Sequence, residues 1–278
     1  MIELGYALSS EEHRPNELVD HARLAEESGF RFLLISDHFH PWVSQQGESP
    51  FVWSVLGGIA HATESISVGT GVTCPILRIH PALVAQAAAT VADMMPNRFF
   101  LGLGTGEYLN EHILGDPWPR IETRQEMLSE AIHVIRELWR GEEYSFDGTY
   151  FTVRDARIYT LPERLPPIYI AASGPESAEL AAEISDGLIS TTPGNEIVSA
   201  FKKAAGSDKP RFGMIKVCWA PSTEEASGTV KHWWPTSEVS GSLHSDLPTP
   251  GHFRMSSMPW ENRKSPKIRS SGRTLIHI

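Results

Sequence analysis

Residues 32–42 read FLLISDHFHPW, an apolar run followed at once by an acid, two histidines and a tryptophan. The apolar run is typical of a buried strand, and the polar residues lie where that strand ends. Other stretches have the same form: GVTCPILR (71–78), GLGTGEYLNE (102–111), AASGPES (171–177) and STTPGN (190–195). Polar and glycine residues after one strand after another predict a sheet whose functional residues collect at one rim.

Helical patterns separate these strands, so the chain alternates strand and helix from its first residues. We predict an α/β fold of the TIM-type (β/α)8 barrel. An open doubly wound sheet is the alternative, but positions 5–14 lack the Gly-x-Gly-x-x-Gly turn expected after its first strand. Aromatic residues around Asp147-Gly148 predict a β-hairpin over 144–153, inserted after the fourth helix. The last predicted barrel strand is Arg211 to Trp219.

No normal eighth βα unit is predicted after Pro248. We therefore divide the chain into a barrel domain, 1–248, and an atypical basic tail, 249–278. The tail holds one acid, Glu261, and six basic side chains: Arg254, Arg263, Lys264, Lys267, Arg269 and Arg273. It is expected to be disordered or out-of-family sequence, as from a reading-frame change. Because an unclosed barrel exposes two strand edges, we expect poor stability or lost activity.

Composition limits the classes of partner. The formal net charge of -10 argues against binding to nucleic acid, which needs clustered Lys and Arg. No apolar stretch approaches the roughly 20 residues of a membrane span, and the chain opens without a charged and apolar leader. Its only cysteines, Cys74 and Cys218, lie in apolar segments, which favours a reducing compartment. We expect a cytoplasmic protein.

His38 is the first candidate catalytic residue, because it follows a strand directly and can serve as a general base near neutral pH. Asp37 beside it could fix the imidazole tautomer, and Trp42 after Pro41 could form a pocket wall. A structural histidine is the common alternative. The pair His38 and His40 also suggests a metal site, but the later strand ends AAS and STT offer no further ligands, so no metal is predicted.

Glu107 is the second candidate. It follows Gly104-Thr105-Gly106, with Asn110 one turn beyond, and should project across the barrel mouth toward His38. The two side chains would form an acid/base pair. A glycine-rich turn with a helix-capping glutamate is the alternative.

Two further strand ends could hold a ligand. Ser173-Gly174-Pro175 opens a helix whose free amides suit a phosphate, with Gly174 as N-cap and Pro175 at the first helical position. Gly71-Val72-Thr73 is a place where a planar ring could lie against the backbone. An ordinary capped helix and tight packing explain these two stretches equally well.

Taken together, these stretches resemble the luciferase-like family of flavin and deazaflavin oxidoreductases, in the branch related to coenzyme F420-dependent glucose-6-phosphate dehydrogenase. The resemblance covers residues 2 to about 235. It rests on SDHFHPW (36–42), GVTCP (71–75), PNRFFLGLGTGEYLNE (96–111) and YIAASGP (169–175), in order and at similar spacing.

The resemblance implies coenzyme F420, with its deazaflavin ring in the barrel mouth and its phosphate near Ser173 and Gly174. It implies that His38 takes the substrate hydroxyl proton during hydride transfer, that Glu107 delivers a proton to the reduced cofactor, and that Trp42 packs beside the reacting centre. The remaining positions matched to cofactor or substrate contacts are Asp37, Thr105, Gly106 and Asn110, and an unusual cis peptide bond is implied at Gly71-Val72.

Three departures from the branch make glucose 6-phosphate a doubtful substrate. The family's phosphate-holding lysine after strand six is replaced by Pro193 and Gly194, Cys74 replaces a hydroxyl residue, and the family's C-terminal phosphate contacts are not reproduced. Another alcohol or carbonyl compound is expected.

Three other functions stay open: a monooxygenase using FMN, a metal-dependent hydrolase and a degenerate ligand-binding remnant.

The sequence also suggests a homodimer. Helix 82–95 has Asp93 as its only charge, which indicates that more than one of its faces is buried.

Overall fold

The computed structural model describes residues 2–191, 194–206, 208–238, 243–257 and 275–277. Its strands are β1 Gly5–Leu8, β2 Phe32–Ile35, β3 Ser67–Thr70, β4 Phe99–Leu103, β5 Tyr144–Asp147, β6 Thr152–Ala156, β7 Ile168–Ala171, β8 Gly187–Ser190, β9 Arg211–Gly213, β10 Val217–Trp219 and β11 Leu275–His277. Seven of them form a parallel sheet in the order β1-β2-β3-β4-β7-β8-β9. The predicted α/β barrel architecture is confirmed, as a curled sheet that ends at β1 and β9.

Helices pack on the outer face of this sheet. These are α1 Pro15–Glu27, α2 Val52–Ala62, α3 Pro81–Met94, α5 Ile121–Leu138, α6 Pro175–Ile184 and α7 Asn195–Ala205. Four further helices follow β4 or β10 in the chain: α4 Tyr108–Glu111, α8 Thr223–Trp233, α9 Leu243–Asp246 and α10 Pro250–Ser256. The longest, α5, buries Leu128, Ile132 and Ile135 at helical spacing against the sheet. Gly174 is the N-cap of α6 and Pro175 its first residue, as predicted.

The inner face of the sheet is filled by large side chains. Leu34, Phe100, Tyr169 and Ile189 are buried together there. Phe212 on β9 lies 4.9 Å from Phe32 on β2, measured between ring centroids. Because four strands separate β2 from β9 in the sheet, this contact is possible only if the sheet curls round on itself. The carboxyl ends of the strands therefore meet at one rim above a solid interior.

Two features after β4 bear on the sequence predictions. The hairpin insertion is confirmed, since β5 and β6 pair antiparallel around Asp147-Gly148. The prediction of one strand from Arg211 to Trp219 is wrong. Residues 211–213 extend the barrel sheet, whereas 217–219 leave it and pair antiparallel with β11. Among the residues described, β9 is the last strand of this sheet, and the chain beyond it turns toward the rim.

The first part of the predicted tail is helical, whereas the sequence predicts disorder there. Residues 250–256 form α10, and Phe253 on this helix is fully buried. Its ring packs against Trp42, so burial of an aromatic side chain orders a stretch whose sequence shows no clear period. Residues 258–274, where most of the basic side chains lie, are outside the described residues. The domain boundary at 249 stays a prediction.

Within the described parts of the chain, no helix has the length and apolar character needed to span a bilayer. Helix α3 buries most of its alanines, but Leu83 is 59% exposed and Met94 40% exposed on its outer side. These side chains border a hollow with Trp53 and Gly57 of α2. The homodimer suggested by this helix stays a prediction.

Candidate active site

His38 lies at the carboxyl end of β2 and stands between two carboxyl groups. Its Nδ1 is 3.3 Å from Glu11 Oε1, and its Nε2 is 3.4 Å from Glu107 Oε2. The carbonyl oxygen of His40 is also 3.3 Å from Nδ1. Both neighbours of Nδ1 accept hydrogen bonds, so in the neutral ring the proton belongs on Nδ1 and Nε2 carries the lone pair. The basic nitrogen of His38 therefore faces Glu107.

Glu11 was not among the predicted site residues. It follows β1, and its side chain is only 3% exposed. Hydroxyl groups of Ser9 and Ser36 each donate to its Oε2 at 2.9 Å. Two hydroxyl donors stabilise a buried carboxylate, which in turn accepts from His38. The sequence does contain a signal for Glu11, because the acids of SSEE (9–12) follow the first strand, at the same rim as the other motifs.

Asp37 does not hold His38, so the expectation that it fixes the imidazole tautomer is wrong. Its Oδ2 accepts from Thr73 Oγ1 at 2.7 Å, and its Oδ1 accepts from Arg78 Nη2 at 2.9 Å. Neighbouring residues in an extended segment point to opposite sides, which separates Asp37 from the ring of His38. Asp37 instead ties the end of β2 to the loop after β3.

Glu107 is brought to His38 by the loop after β4. Asn110 accepts from the backbone N–H groups of Phe39 and His40 at 2.9 and 3.2 Å, and its amide donates to Glu107 Oε2 at 3.3 Å. It therefore locks the two strand-end loops together. Burial raises the pKa of Glu107, while the nearby His38 opposes that rise. The structure thus brings the two predicted residues, His38 and Glu107, together, and their role as an acid/base pair stays a prediction.

Trp42 forms one wall of the site. Its ring lies 4.8 Å from that of His38, 4.4 Å from His244 and 5.2 Å from Phe253. Val43, Leu109, Trp234 and Leu247 complete this apolar cluster, which we call the aromatic cap. Burial lowers the pKa of His244 to about 4, with Lys216 and His38 adding to the effect, so His244 is neutral at physiological pH.

A cavity lies at the rim, beside the start of α6. Thr105, Ser173 and Gly174 line a cavity of about 300 Å³ at the start of α6. The first-turn amides of a helix lack intrahelical partners and favour an anion. Arg124 stiffens the adjoining loop by donating to the carbonyls of Thr105 and Gly106 at 3.3 and 3.2 Å. Ser173, Gly174 and the first turn of α6 would hold the phosphate of a cofactor.

Comparisons with known proteins agree with this geometry. The sequence model of the luciferase-like monooxygenase family matches residues 1–264. The chain is 46% identical over 216 residues to an F420-dependent hydroxymycolic acid dehydrogenase of Mycobacterium tuberculosis, covering 76% of this chain and 60% of that protein. It is 40% identical over 262 residues to an F420-dependent glucose-6-phosphate dehydrogenase of Microbacterium testaceum, covering 88% of this chain and 78% of that one.

A solved structure is similar as well. An F420-dependent secondary alcohol dehydrogenase in complex with an F420-acetone adduct superposes with a TM-score of 0.85 and 31% identity, covering 92% of this chain and 81% of that chain. The chain belongs to the luciferase-like family. The family resemblance predicted from the sequence motifs is confirmed.

The rim contains two unusual backbone conformations, a cis peptide bond and a left-handed glycine. The Gly71-Val72 peptide bond is cis, as the resemblance implied. Gly106 has φ 76°, and a Cβ at this position would lie 2.5 Å from Cys74 Sγ. Both the left-handed conformation and the close thiol restrict this position to glycine. Cys74 therefore packs beneath the loop that carries Glu107.

Among the residues described, no cluster of three or more His, Cys, Asp or Glu could hold a metal ion. His40 Nδ1 is bound to the carbonyl oxygen of Leu109 at 2.8 Å, and its ring stacks on that of His112. Of the predicted departures from the family pattern, Pro193 lies outside the described residues, and Gly194 is the N-cap of α7.

Proposed function

We propose that this chain is an F420-dependent oxidoreductase that transfers a hydride between a small alcohol or carbonyl compound and the deazaflavin ring. When bound, F420 supplies a ring carbon that accepts or returns the hydride. Similarity to F420-dependent relatives supports the cofactor, and the placement of His38 between Glu11 and Glu107 supports the reaction. That placement is the observation that carries the proposal.

His38 would act as the base. Its Nδ1–H is held by Glu11 and by the His40 carbonyl, so the lone pair of Nε2 is directed to the side of Glu107. When a substrate hydroxyl loses its proton to Nε2, the imidazolium formed lies between two carboxyl groups that stabilise its charge. The same ring returns the proton when a carbonyl compound is reduced.

Glu107 would hold the second proton. Its raised pKa favours the carboxylic acid form at a pH where an exposed glutamate is ionised. A protonated Glu107 can donate its O–H to a bound ligand, which leaves His38 Nε2 free to accept the substrate proton. Asn110 keeps the carboxyl group in this position through its 3.3 Å hydrogen bond.

The walls of the site support the proposed substrate class. Trp42 forms an apolar wall beside His38, and the fully buried Phe253 packs behind it. Glu11 borders the ring as a buried carboxylate, and its negative charge disfavours a phosphorylated sugar. A neutral alcohol or ketone with an apolar substituent fits both features. The relative solved with an F420-acetone adduct acts on secondary alcohols, which is the same chemical class.

A binding experiment separates the candidate cofactors. Purified protein is titrated with F420 and, separately, with FMN while the fluorescence of each is followed. We expect saturable binding of F420 and weak or no binding of FMN. Turnover is then measured with neutral secondary alcohols and with glucose 6-phosphate, and the neutral alcohols should be preferred. Binding of FMN alone would contradict the proposal and favour a monooxygenase.

We further place the activity in the cytoplasm. Cys74 and Cys218 are both free thiols, as expected in a reducing compartment. Fractionation of cells that produce the protein, followed by immunodetection, tests this placement. Recovery from the secreted fraction would contradict it.

A further inference from the structure

Arg78, in the loop after β3, places a buried cation between two acids that come from different loops. Its side chain is 7% exposed, and the side chains of Asp37 and Glu111 are each 1% exposed. Arg78 Nη2 donates to Asp37 Oδ1 at 2.9 Å and to the Asp37 carbonyl oxygen at 3.3 Å. Its backbone N–H donates to Glu111 Oε2 at 2.9 Å, and its Nε forms an ion pair with Glu111 Oε1 at 3.5 Å. One residue thus ties the loop after β2 to the loop after β4.

Both acids lie close in the chain to the proposed proton-transfer groups. Asp37 directly precedes His38 at the end of β2. Glu111 lies one helical turn after Glu107, and its backbone N–H donates to the Glu107 carbonyl oxygen at 3.2 Å. Arg78 therefore holds the backbone on both sides of the pair, through Asp37 on one side and Glu111 on the other.

A guanidinium group is suited to this place. Burial lowers the pKa of Arg78, but the attraction of Asp37 and Glu111 more than offsets this effect and raises the pKa overall. The planar guanidinium carries donors on several edges and can face two carboxylates at once, whereas a lysine ammonium is a single point of charge. If either contact were lost, a buried carboxylate would lack its cation and would favour a new position with another donor or with water.

We propose that Arg78 is a positioning residue that, by clamping Asp37 and Glu111, keeps His38 Nε2 at 3.4 Å from Glu107 Oε2. This role rests on the proposed function, in which His38 and Glu107 handle the protons of the reaction. Asn110 joins the same two loops directly, and Arg78 adds a tie from the loop after β3.

Lysine at position 78 tests this role without removing the charge. Arg78→Lys keeps a cation for one of the two acids, but a single ammonium cannot maintain both contacts. Arg98→Lys is the matched control. Arg98 also ties two segments together, since its guanidinium donates to Thr63 Oγ1 and to the carbonyl oxygens of Thr63 and Ile66. It does so just before β4, at the opposite end of the strands from His38.

Crystal structures of the cofactor-free proteins give the first readout. In Arg78→Lys we expect the distance between His38 Nε2 and Glu107 Oε2 to increase by about 1 Å, a displacement large enough to impair catalysis. In Arg98→Lys the distance should stay near 3.4 Å. An unchanged distance in Arg78→Lys would overturn the proposal.

Turnover with F420 gives the second readout, expressed per F420-binding site so that unfolded protein does not count. The kcat of Arg78→Lys should fall about 10- to 100-fold, because the pair is misplaced, while KM for the alcohol and Kd for F420 stay close to their original values. Arg98→Lys should lower the melting temperature but leave kcat per site almost unchanged. Equal losses of kcat in the two variants would contradict the proposal, since they would reflect only a less stable fold.

The distance measurement needs neither F420 nor substrate, so the two proposals can fail separately. A protein that does not bind F420 but shows the longer distance in Arg78→Lys would refute the proposed function and support the role of Arg78. A protein that oxidises alcohols with F420 but keeps the original distance in Arg78→Lys would support the proposed function and overturn the role of Arg78.

Discussion

The strands in the middle of the sheet and the chain after β9 hold their side chains in different ways. All five residues of β4 are buried between β3 and β7, and the loop that follows is fixed by Asn110. After β9, by contrast, Ile215 is 57% exposed and Trp219 70% exposed. The difference teaches that His38 and Glu107, the proposed proton-transfer groups, follow strands paired on both sides, whereas the chain after β9 contributes Trp234 and Phe253 to the aromatic cap.

We expect the largest effect, a loss of turnover, from a substitution in the loop after β2. His38→Gln removes the base while keeping a hydrogen-bonding side chain, so turnover should fall about 100- to 10,000-fold. His40→Gln is the matched control, because His40 lies in the same loop but bonds the Leu109 carbonyl and not Glu107. Steady-state F420 reduction measures both variants. Equal losses in the two variants would show that the loop as a whole matters and not the base.

The next effect tests whether α10 is an integral part of the fold. Phe253→Ala empties a fully buried aromatic position and should lower the free energy of unfolding by about 3 kcal/mol. Met255→Ala on the same helix is the control, since Met255 is 62% exposed. Urea unfolding followed by tryptophan fluorescence gives both values. A negligible cost for Phe253→Ala would mean that the cap is only loosely attached.

A smaller effect concerns the loop between α2 and β3. Glu26 accepts from the backbone N–H groups of Glu64, Ser65 and Ile66, and these bonds lower its pKa from 4.5 to about 2, against an opposing contribution from burial. Because the folded-state pKa is the lower one, its stabilisation is fully present above pH 4.5 and is lost as the pH falls toward 2.

Glu26→Gln should therefore cost about 1 kcal/mol at neutral pH, after allowance for solvent screening, and less in acid. Exposed Glu27→Gln is the control. Thermal unfolding at a series of pH values provides the comparison, and a cost that grows in acid would contradict the assignment.

We expect the smallest effect on stability at β10, where Trp219 is exposed. Trp219→Lys should change the free energy of unfolding by no more than about 0.5 kcal/mol, yet it should slow aggregation on heating because a charge blocks strand pairing. Tyr159→Lys, at a position that is 83% exposed and lies in no described strand, is the control. Light scattering during heating distinguishes them. The expectation that an unclosed sheet makes this chain poorly stable stays a prediction that the same experiment addresses.

Much of the fold could be predicted because each inner strand is a short apolar run that ends in polar residues. The pairing of His38 with Glu107 followed from the same logic, since parallel strands bring their carboxyl ends to one rim. Side-chain direction could not be read in this way. Asp37 and His38 are adjacent in sequence, yet one bonds Arg78 and the other faces Glu11.

The C-terminal side was harder to predict for a physical reason. Lys216 and Phe253 owe their places to contacts with residues far away in sequence, Trp234 and Trp42. Local periodicity carries no information on such contacts, so it predicts neither α10 nor the break between β9 and β10.

The central claim is that His38 and Glu107 share one proton-transfer task. Single-turnover rates of F420 reduction in His38→Gln, Glu107→Gln and the double variant test it most directly. If the two groups act as a unit, the double variant should be no slower than the slower single variant. Losses that multiply in the double variant would contradict the account, because they would mean that the two side chains act independently.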